Sequence, residues 1–392
     1  MAKIFVLGFG AHGHVNPTLA LAEELQARGH EVTYFVTEEF RHAVEAAGVS
    51  FQAVDSLLAK TERPKKFDKA TMLELIPRRM LGEAIYLLDQ VVAQFVSNPP
   101  DLLLYDNMCI AGRVITEACQ IPSVSLFTSY AASETFNMIS QLGDLPETAR
   151  VDFDALMTEI VDKYGVRPFP FETIFAHPEA LNIVFMPRIW QPEVDSFDSR
   201  FIFVGPCLGT RAADVEFPQE ILSGDHLLLI SLGTAFNDNP EFYRECFKAF
   251  ENTSWNIVMA VGTRVDITAL GKFPTNFTVR PHVPQLEVLQ HASVFVTHGG
   301  MNSTMEGLGF GVPLVALPQM FEQAITARRI EEMGVGISLD GRELEASLLR
   351  QAVEDVANSS NAKSRVRVVQ EAITASGGVR AAAQAVENHL GL

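Results

Sequence analysis

Between residues 282 and 323 the polar side chains fall where a strand gives way to a helix, a placement suited to holding phosphate. Val294 to Thr297 is a short apolar, β-rich run; His298-Gly299-Gly300 follows, and Asn302-Ser303-Thr304 stand just before Met305-Glu306-Gly307-Leu308. The pattern reads as strand, glycine turn and helix start. A helix start offers unpaired amides and the positive end of the helix dipole, so His298, the Gly299–Gly300 backbone, Asn302 and Ser303 can together bind a phosphate. Glu306 lies one turn beyond Asn302, where a carboxylate can accept hydrogen bonds from ribose hydroxyls. An ordinary turn with polar capping residues is the plain alternative, and these residues alone do not separate the two.

A second pair of residues suits acid–base work. His14 follows the strand-like run Lys3–Gly8, and Asp106 follows Leu102-Leu103-Leu104-Tyr105. Each stands beyond the carboxyl end of a strand, where open α/β sheets bind ligands. A neutral imidazole can take a proton from a hydroxyl near pH 7. A carboxylate on its far nitrogen would fix the tautomer and stabilise the imidazolium. The alternatives are a loop histidine bonded only to backbone, with His12 the next candidate base, and an aspartate capping the helix expected near Met108.

The elements that must carry these residues alternate as βαβα. After Lys3–Gly8, Asn16-Pro17 reads as an N-cap with proline at the first helical position, and Leu19, Leu21, Ala22 and Leu25 form an apolar stripe that ends at Gly29. Strands are expected at Glu31–Thr37 and Ser50–Val54, with a helix over Glu38–Ala47 between them. Residues 56–98 read as helical and rich in Met and Leu, and Leu102–Tyr105 returns to strand. A second series starts at His226–Ser231 and continues through Asn256–Val261, Phe277–Arg280 and Leu314–Leu317. Short strands alternating with helices imply parallel sheets covered on both faces. The expected organisation is therefore one doubly wound domain over 1–205, a linker over 206–224, a second doubly wound domain over 225–375, and an alanine-rich helix from 376 to 392.

Composition narrows the function. The chain has 392 residues, 47% hydrophobic and 20% charged, enough for two sizeable cores. A formal charge of −18 argues against a nucleic-acid surface or an anionic membrane partner, so a phosphorylated substrate must be held locally. Cys109, Cys119, Cys207 and Cys246 lack C-x-x-C spacing and read as reduced thiols in the cytosol, with no zinc site implied. MAKIFVLGFGA is a buried first strand rather than a signal peptide, and no run reaches the ~20 apolar residues of a membrane span. Gly8-Phe9-Gly10-Ala11-His12-Gly13 satisfies G-x-G-x-x-G after a strand, so a dinucleotide-dependent oxidoreductase is the main rival reading. A helix that starts only after His14-Val15-Asn16 counts against it.

The run 282–323 resembles the nucleotide-sugar signature of UDP-sugar-dependent glycosyltransferases, W-x-P-Q-x-x-x-L-x-H, then H-x-G-x-N-S-x-x-E, then [DE]-Q. Its counterparts here are His282-Val283-Pro284-Gln285, Leu289, His291, His298, Gly300, Asn302, Ser303, Glu306 and Glu322-Gln323. With GHVNP around His14 and Ser231-Leu232-Gly233-Thr234 in mid-chain, the similarity spans nearly the whole sequence and is closest to the bacterial macrolide type. Plant-type members carry Trp where this chain has His282, which still offers a flat ring to a base.

The resemblance implies a GT-B fold, two Rossmann-like domains facing a central cleft, and inverting transfer of a hexose, glucose being expected, from a UDP-sugar to a hydroxyl of an apolar acceptor. It implies His14 as the base, Asp106 as its partner, Ser231, Gly233 and Thr234 at the diphosphate, and Glu322-Gln323 at hexose hydroxyls, with no metal and no cofactor beyond the sugar nucleotide. Met72, Ile76, Met80, Met108, Phe127 and Phe136 read first as core, some of them as walls of an adaptable acceptor pocket. A nucleotide-sugar epimerase, a cell-wall sugar transferase and a non-catalytic sugar-nucleotide-binding protein are the remaining alternatives.

Overall fold

The computed structural model describes residues 1–61, 69–133, 135–208, 217–222, 226–234, 237–341 and 344–392. They belong to two compact units, one formed by Met1–Thr210 with Ser376–Leu392 and the other by Arg211–Ala375. Within the linker expected over 206–224, residues 209–216, 223 and 224 lie outside the described residues, as do 62–68 of the expected helical stretch 56–98.

The first unit holds a seven-stranded parallel sheet. Its strands are β1 (Lys3–Leu7), β2 (Glu31–Val36), β3 (Ser50–Ala53), β4 (Leu102–Asp106), β5 (Ser123–Phe127), β6 (Leu181–Val184) and β7 (Phe201–Phe203), in the order β3-β2-β1-β4-β5-β6-β7. The chain builds outward from β1 to β3, then returns to lay β4 on the other side of β1. That reversal opens a crevice beyond the carboxyl ends of β1 and β4. β4, Leu-Leu-Leu-Tyr-Asp, is buried at every residue because helices cover both faces, which a run without polar alternation permits. The last helix of the chain belongs here: Ala382, Ala383 and Val386 are fully buried in the same core as Ile4, Val6, Leu21 and Leu25. Glu387 on that helix also meets Arg28 at 2.8 Å and His30 at 3.3 Å.

Helix α1 runs from His12 to Ala27, earlier than the Asn16-Pro17 pair suggests, and Pro17 lies inside it. The amides of His14 and Val15 both reach the Ala11 carbonyl, which starts the first turn upstream of the proline. Pro17 has no amide to give, but the Thr18 hydroxyl donates to the carbonyls of His14 at 2.7 Å and Val15 at 3.2 Å and holds the turn together. His14 therefore sits on a helix rather than on a loop, and a late helix start does not argue against dinucleotide binding. The glycines do. A Cβ on Gly8 would lie 2.6 Å from the Tyr34 ring, and one on Gly10 would lie 3.2 Å from the Thr37 hydroxyl, so the chain's own side chains fill the space that these two of the three glycines leave.

The second unit holds a six-stranded parallel sheet of β8 (Leu227–Ser231), β9 (Asn256–Ala260), β10 (Phe277–Arg280), β11 (Val294–Thr297), β12 (Leu314–Ala316) and β13 (Gly336–Ser338), in the order β10-β9-β8-β11-β12-β13. Its reversal falls between β8 and β11, where Ser231 is in register with Thr297, itself in register with Ala316 of β12. β8 and β11 are buried at every residue. No helix of the described residues is long and apolar enough to cross a membrane.

Candidate active site

Both sheet reversals carry the residues singled out in the sequence. In the first unit, His14 lies in the first turn of α1, just past β1, and Asp106 is the last residue of β4. Their parallel strands are direct neighbours, so the topology alone brings the two positions together. His14 Nδ1 is 2.8 Å from Asp106 Oδ2; the Asp106 side chain is fully buried and that of His14 is 19% exposed. Asp106 also caps locally, since its Oδ1 accepts the Met108 amide at 2.9 Å. That second bond turns the carboxylate so that Oδ2 faces the imidazole. The helix after it, α2 (Ile110–Cys119), begins two residues later than expected.

A third group, missed in the sequence, completes this arrangement. Thr128, one residue past β5 and buried, places its hydroxyl 2.8 Å from the same Nδ1. With a carboxylate and a hydroxyl both at Nδ1, the proton belongs on that nitrogen, and Nε2 is where a proton can be taken up. The Phe9 ring meets the imidazole edge-on, 5.0 Å between centroids. The signal for Thr128 was its position at the end of the strand next to β4. His12 is exposed and packs on Phe40.

The apolar residues proposed for an acceptor do not form one wall. Met80 and Met108 line the same cleft in the first unit. Met72 and Ile76 lie earlier on the helix Lys69–Ser97 and are half-buried. Phe127 and Phe136 are core residues, 1% and 7% exposed, packed on Phe201 and Tyr130. Phe127 lies within β5, and a side chain buried in the sheet has no surface to offer a ligand, so it drops out of the acceptor set; Phe136, beyond the strand, is as buried as Met80.

In the second unit the loops after β8, β11 and β12 bring together residues expected to hold a donor. Helix α3 (Met301–Gly309) starts directly after Gly300, so Asn302 and Ser303 lie within its first turn rather than before it. Gly300 at the N-cap contributes no capping side chain. The His298 ring lies against two glycines: a Cβ on Gly233 would come within 2.5 Å of Cε1, and one on Gly300 would be still closer to Nε2. Gly233 and Gly299 also have positive φ, 74° and 78°, which only glycine adopts without strain. Burial pushes the His298 imidazole down to about 4, with only the Ser231 backbone acting against it. His298 is thus neutral at pH 7, a hydrogen-bonding group rather than a cation, and its Nδ1 is buried with no partner among the described residues.

Glu306, 2% exposed, accepts a hydrogen bond from Gln285 Nε2 at 2.6 Å, which joins the first and second segments of the motif. Gln323 is buried, and its Oε1 accepts the Gln319 amide at 2.8 Å. Glu322 is half-buried in the first turn of the helix Phe321–Glu332, Thr234 and His282 are exposed, and Val283 is half-buried. Asn237 is a further organiser that the sequence did not reveal. Its Nδ2 donates to the Gly233 carbonyl at 2.9 Å, its own carbonyl accepts the Tyr243 hydroxyl at 2.9 Å, and Gly262 leaves room for its side chain. This buried asparagine holds Gly233, which borders His298.

Known proteins resemble this chain along nearly its whole length. Residues 4–135 match the glycosyltransferase family 28 N-terminal domain, and residues 247–386 match the C-terminal domain of the erythromycin biosynthesis protein CIII-like family. The NDP-glycosyltransferase YjiC of Bacillus subtilis (strain 168) is 41% identical over 390 residues, covering 98% of this chain and 96% of that protein. The oleandomycin glycosyltransferase of Streptomyces antibioticus is 33% identical over 399 residues, covering 99% and 91%. The crystal structure of the calicheamicin glycosyltransferase CalG4 superposes with a TM-score of 0.85 at 35% identity, covering 100% of this chain and 99% of that one. Nothing in these likenesses supports an oxidoreductase. With a parallel-sheet unit at each end of the motif set and relatives matched along its full length, the chain belongs to the natural-product NDP-glycosyltransferases of GT-B fold, enzymes that transfer a sugar from a nucleotide-sugar donor.

Proposed function

We propose that the chain is an inverting glucosyltransferase that moves glucose from a UDP-sugar to a hydroxyl of an apolar small molecule without a metal. The observation that carries this reading is the 2.8 Å contact between His14 Nδ1 and a fully buried Asp106 at the β1/β4 reversal. In it, His14 Nε2 removes the acceptor's hydroxyl proton as that oxygen attacks the anomeric carbon; the bond from that carbon to the diphosphate breaks, and Asp106 stabilises the imidazolium. Attack opposite the leaving group inverts the anomeric configuration. The departing diphosphate's charge falls on the first turn of α3 and on the His298 ring. Glu306 takes the ribose, His282 the base, Ser231, Gly233 and Thr234 the phosphates, and Glu322 with Gln323 the hexose. Relatives named for oleandomycin and calicheamicin support a natural-product acceptor.

Mass spectrometry of reactions with UDP- and dTDP-sugars against macrolide, flavonoid and simple phenol acceptors tests the reading. Glucosylated product from UDP-glucose, formed equally well after EDTA treatment, is expected. Donor turnover without any acceptor product, or activity lost on chelation and restored by a divalent ion, would overturn it.

A further inference from the structure

Beside the dyad, the first unit has a cleft whose lining includes Phe9, Met80, Leu87 and Met108, and two carboxylates, Asp55 and Glu83. Phe9 is the residue whose ring meets His14, and Cys109 stands three positions after Asp106. Glu83 and Asp106 both act through space on the buried Cys109 thiol, pushing it up after burial has done so, which puts the cleft and the dyad in one electrostatic neighbourhood.

Three carboxylates belong to this neighbourhood, and two have their counter-charge. Asp106 has His14, and Asp55 has Lys60 at 2.8 Å. Glu83 has no Lys, Arg or His within ion-pair distance among the described residues. Its Oε2 accepts the Leu58 amide at 2.9 Å, which orients the group, and its Oε1 takes no donor among the described residues. The residue is half-buried in a cleft whose lining also includes Met80, Leu87 and Met108. A partly desolvated carboxylate next to apolar walls strongly favours a charged donor.

We infer that this cleft is an acceptor subsite for a protonated amine, so that acceptors carrying an ammonium group near the reacting hydroxyl are preferred, with Glu83 as the residue that selects them. The inference rests on the glycosyltransferase reading above and narrows its acceptor class. The methionines and Leu87 take the carbon skeleton around the nitrogen, Glu83 Oε1 takes the N–H, and the chain's net charge of −18 draws cations toward it.

The test uses tyramine and 4-ethylphenol, phenols that differ chiefly in the ammonium group, with the full-length protein and Glu83→Gln. The amide oxygen of glutamine can still accept the Leu58 N–H, so the short Leu57–Lys60 helix keeps its anchor; unchanged thermal melting checks this. Calorimetry should show tyramine binding wild type at least about tenfold more tightly than 4-ethylphenol, and that preference should vanish in Glu83→Gln while 4-ethylphenol affinity stays within about twofold. Equal affinity for the two phenols in wild type, a preference that survives the substitution, or an equal loss for both ligands would overturn the inference. Turnover with UDP-glucose is read separately: ammonium-selective binding without glucosylation of either phenol would count against the transferase reading and leave the subsite standing.

Discussion

Replacing Asp106 by asparagine probes the chemistry with little change of shape. The asparagine oxygen can keep the Met108 amide that Oδ1 now holds at 2.9 Å, so the strand end and the following turn have no reason to move. Its NH₂ group then faces His14 Nδ1, where the Oδ2 acceptor stood at 2.8 Å. Two effects follow. The imidazolium formed as the acceptor loses its proton no longer has a buried anion beside it; a charge-assisted bond of this kind is worth about 1.5–3 kcal/mol, or roughly 10–150-fold in rate. An NH₂ facing Nδ1 also drives the ring proton onto Nε2, the nitrogen that must accept. The Thr128 hydroxyl at the same Nδ1 softens this second effect, because its oxygen can still accept a hydrogen bond from an Nδ1–H. Together kcat for glucosylation of a simple alcohol should fall by on the order of 10–10³ in Asp106→Asn and 10²–10⁴ in His14→Ala. The double variant should be little worse than His14→Ala, as for residues that act as a unit. UDP affinity by calorimetry should stay near wild type, since the residues assigned to the nucleotide belong to the other unit. Acidic phenols and thiols, which ionise with less help, should lose less. If His14→Ala kept most of its activity on a simple alcohol, His14 would be a structural residue of α1, and His12 the next to test.

Two further outcomes concern the second unit. Glu306→Ala and His298→Ala should each weaken UDP binding by roughly 1–3 kcal/mol with the fold intact, and unchanged affinity in both would remove the donor assignment. Acid should destabilise the nucleotide-free protein through His298, whose folded value near 4 lies below its ordinary 6.5. The unfolded chain then binds the extra proton, so stability is full above about pH 6.5 and declines as pH falls toward 4; by pH 5 the loss is at most about 2 kcal/mol from this residue. Chemical denaturation at pH 7 and pH 5 should show a smaller pH effect in His298→Asn, and an identical slope in the two proteins would refute the cause.

Much of this protein is legible in its sequence, because buried parallel strands must be continuous apolar runs. Phe277–Arg280 and Val294–Thr297 are strands at those bounds, and Leu102–Tyr105 extends by one residue to include Asp106. The 282–323 motif was legible for the same local reason, with its polar residues spaced at a strand end and a helix start. What local pattern could not decide was where two helices begin. Pro17 and the Asn302-Ser303 pair both look like starting points, but the amides of His14 and Val15 find the Ala11 carbonyl, and that of Thr304 finds Gly300, each within an earlier turn. Tertiary structure alone decided three other things: that Thr128 shares Nδ1 with Asp106, that Asn237 holds Gly233 beside His298, and that Phe127 serves the core rather than an acceptor. Each depends on which strand lies beside which, and strand order is set by how the chain reverses across the sheet, over separations such as the 92 residues from His14 to Asp106.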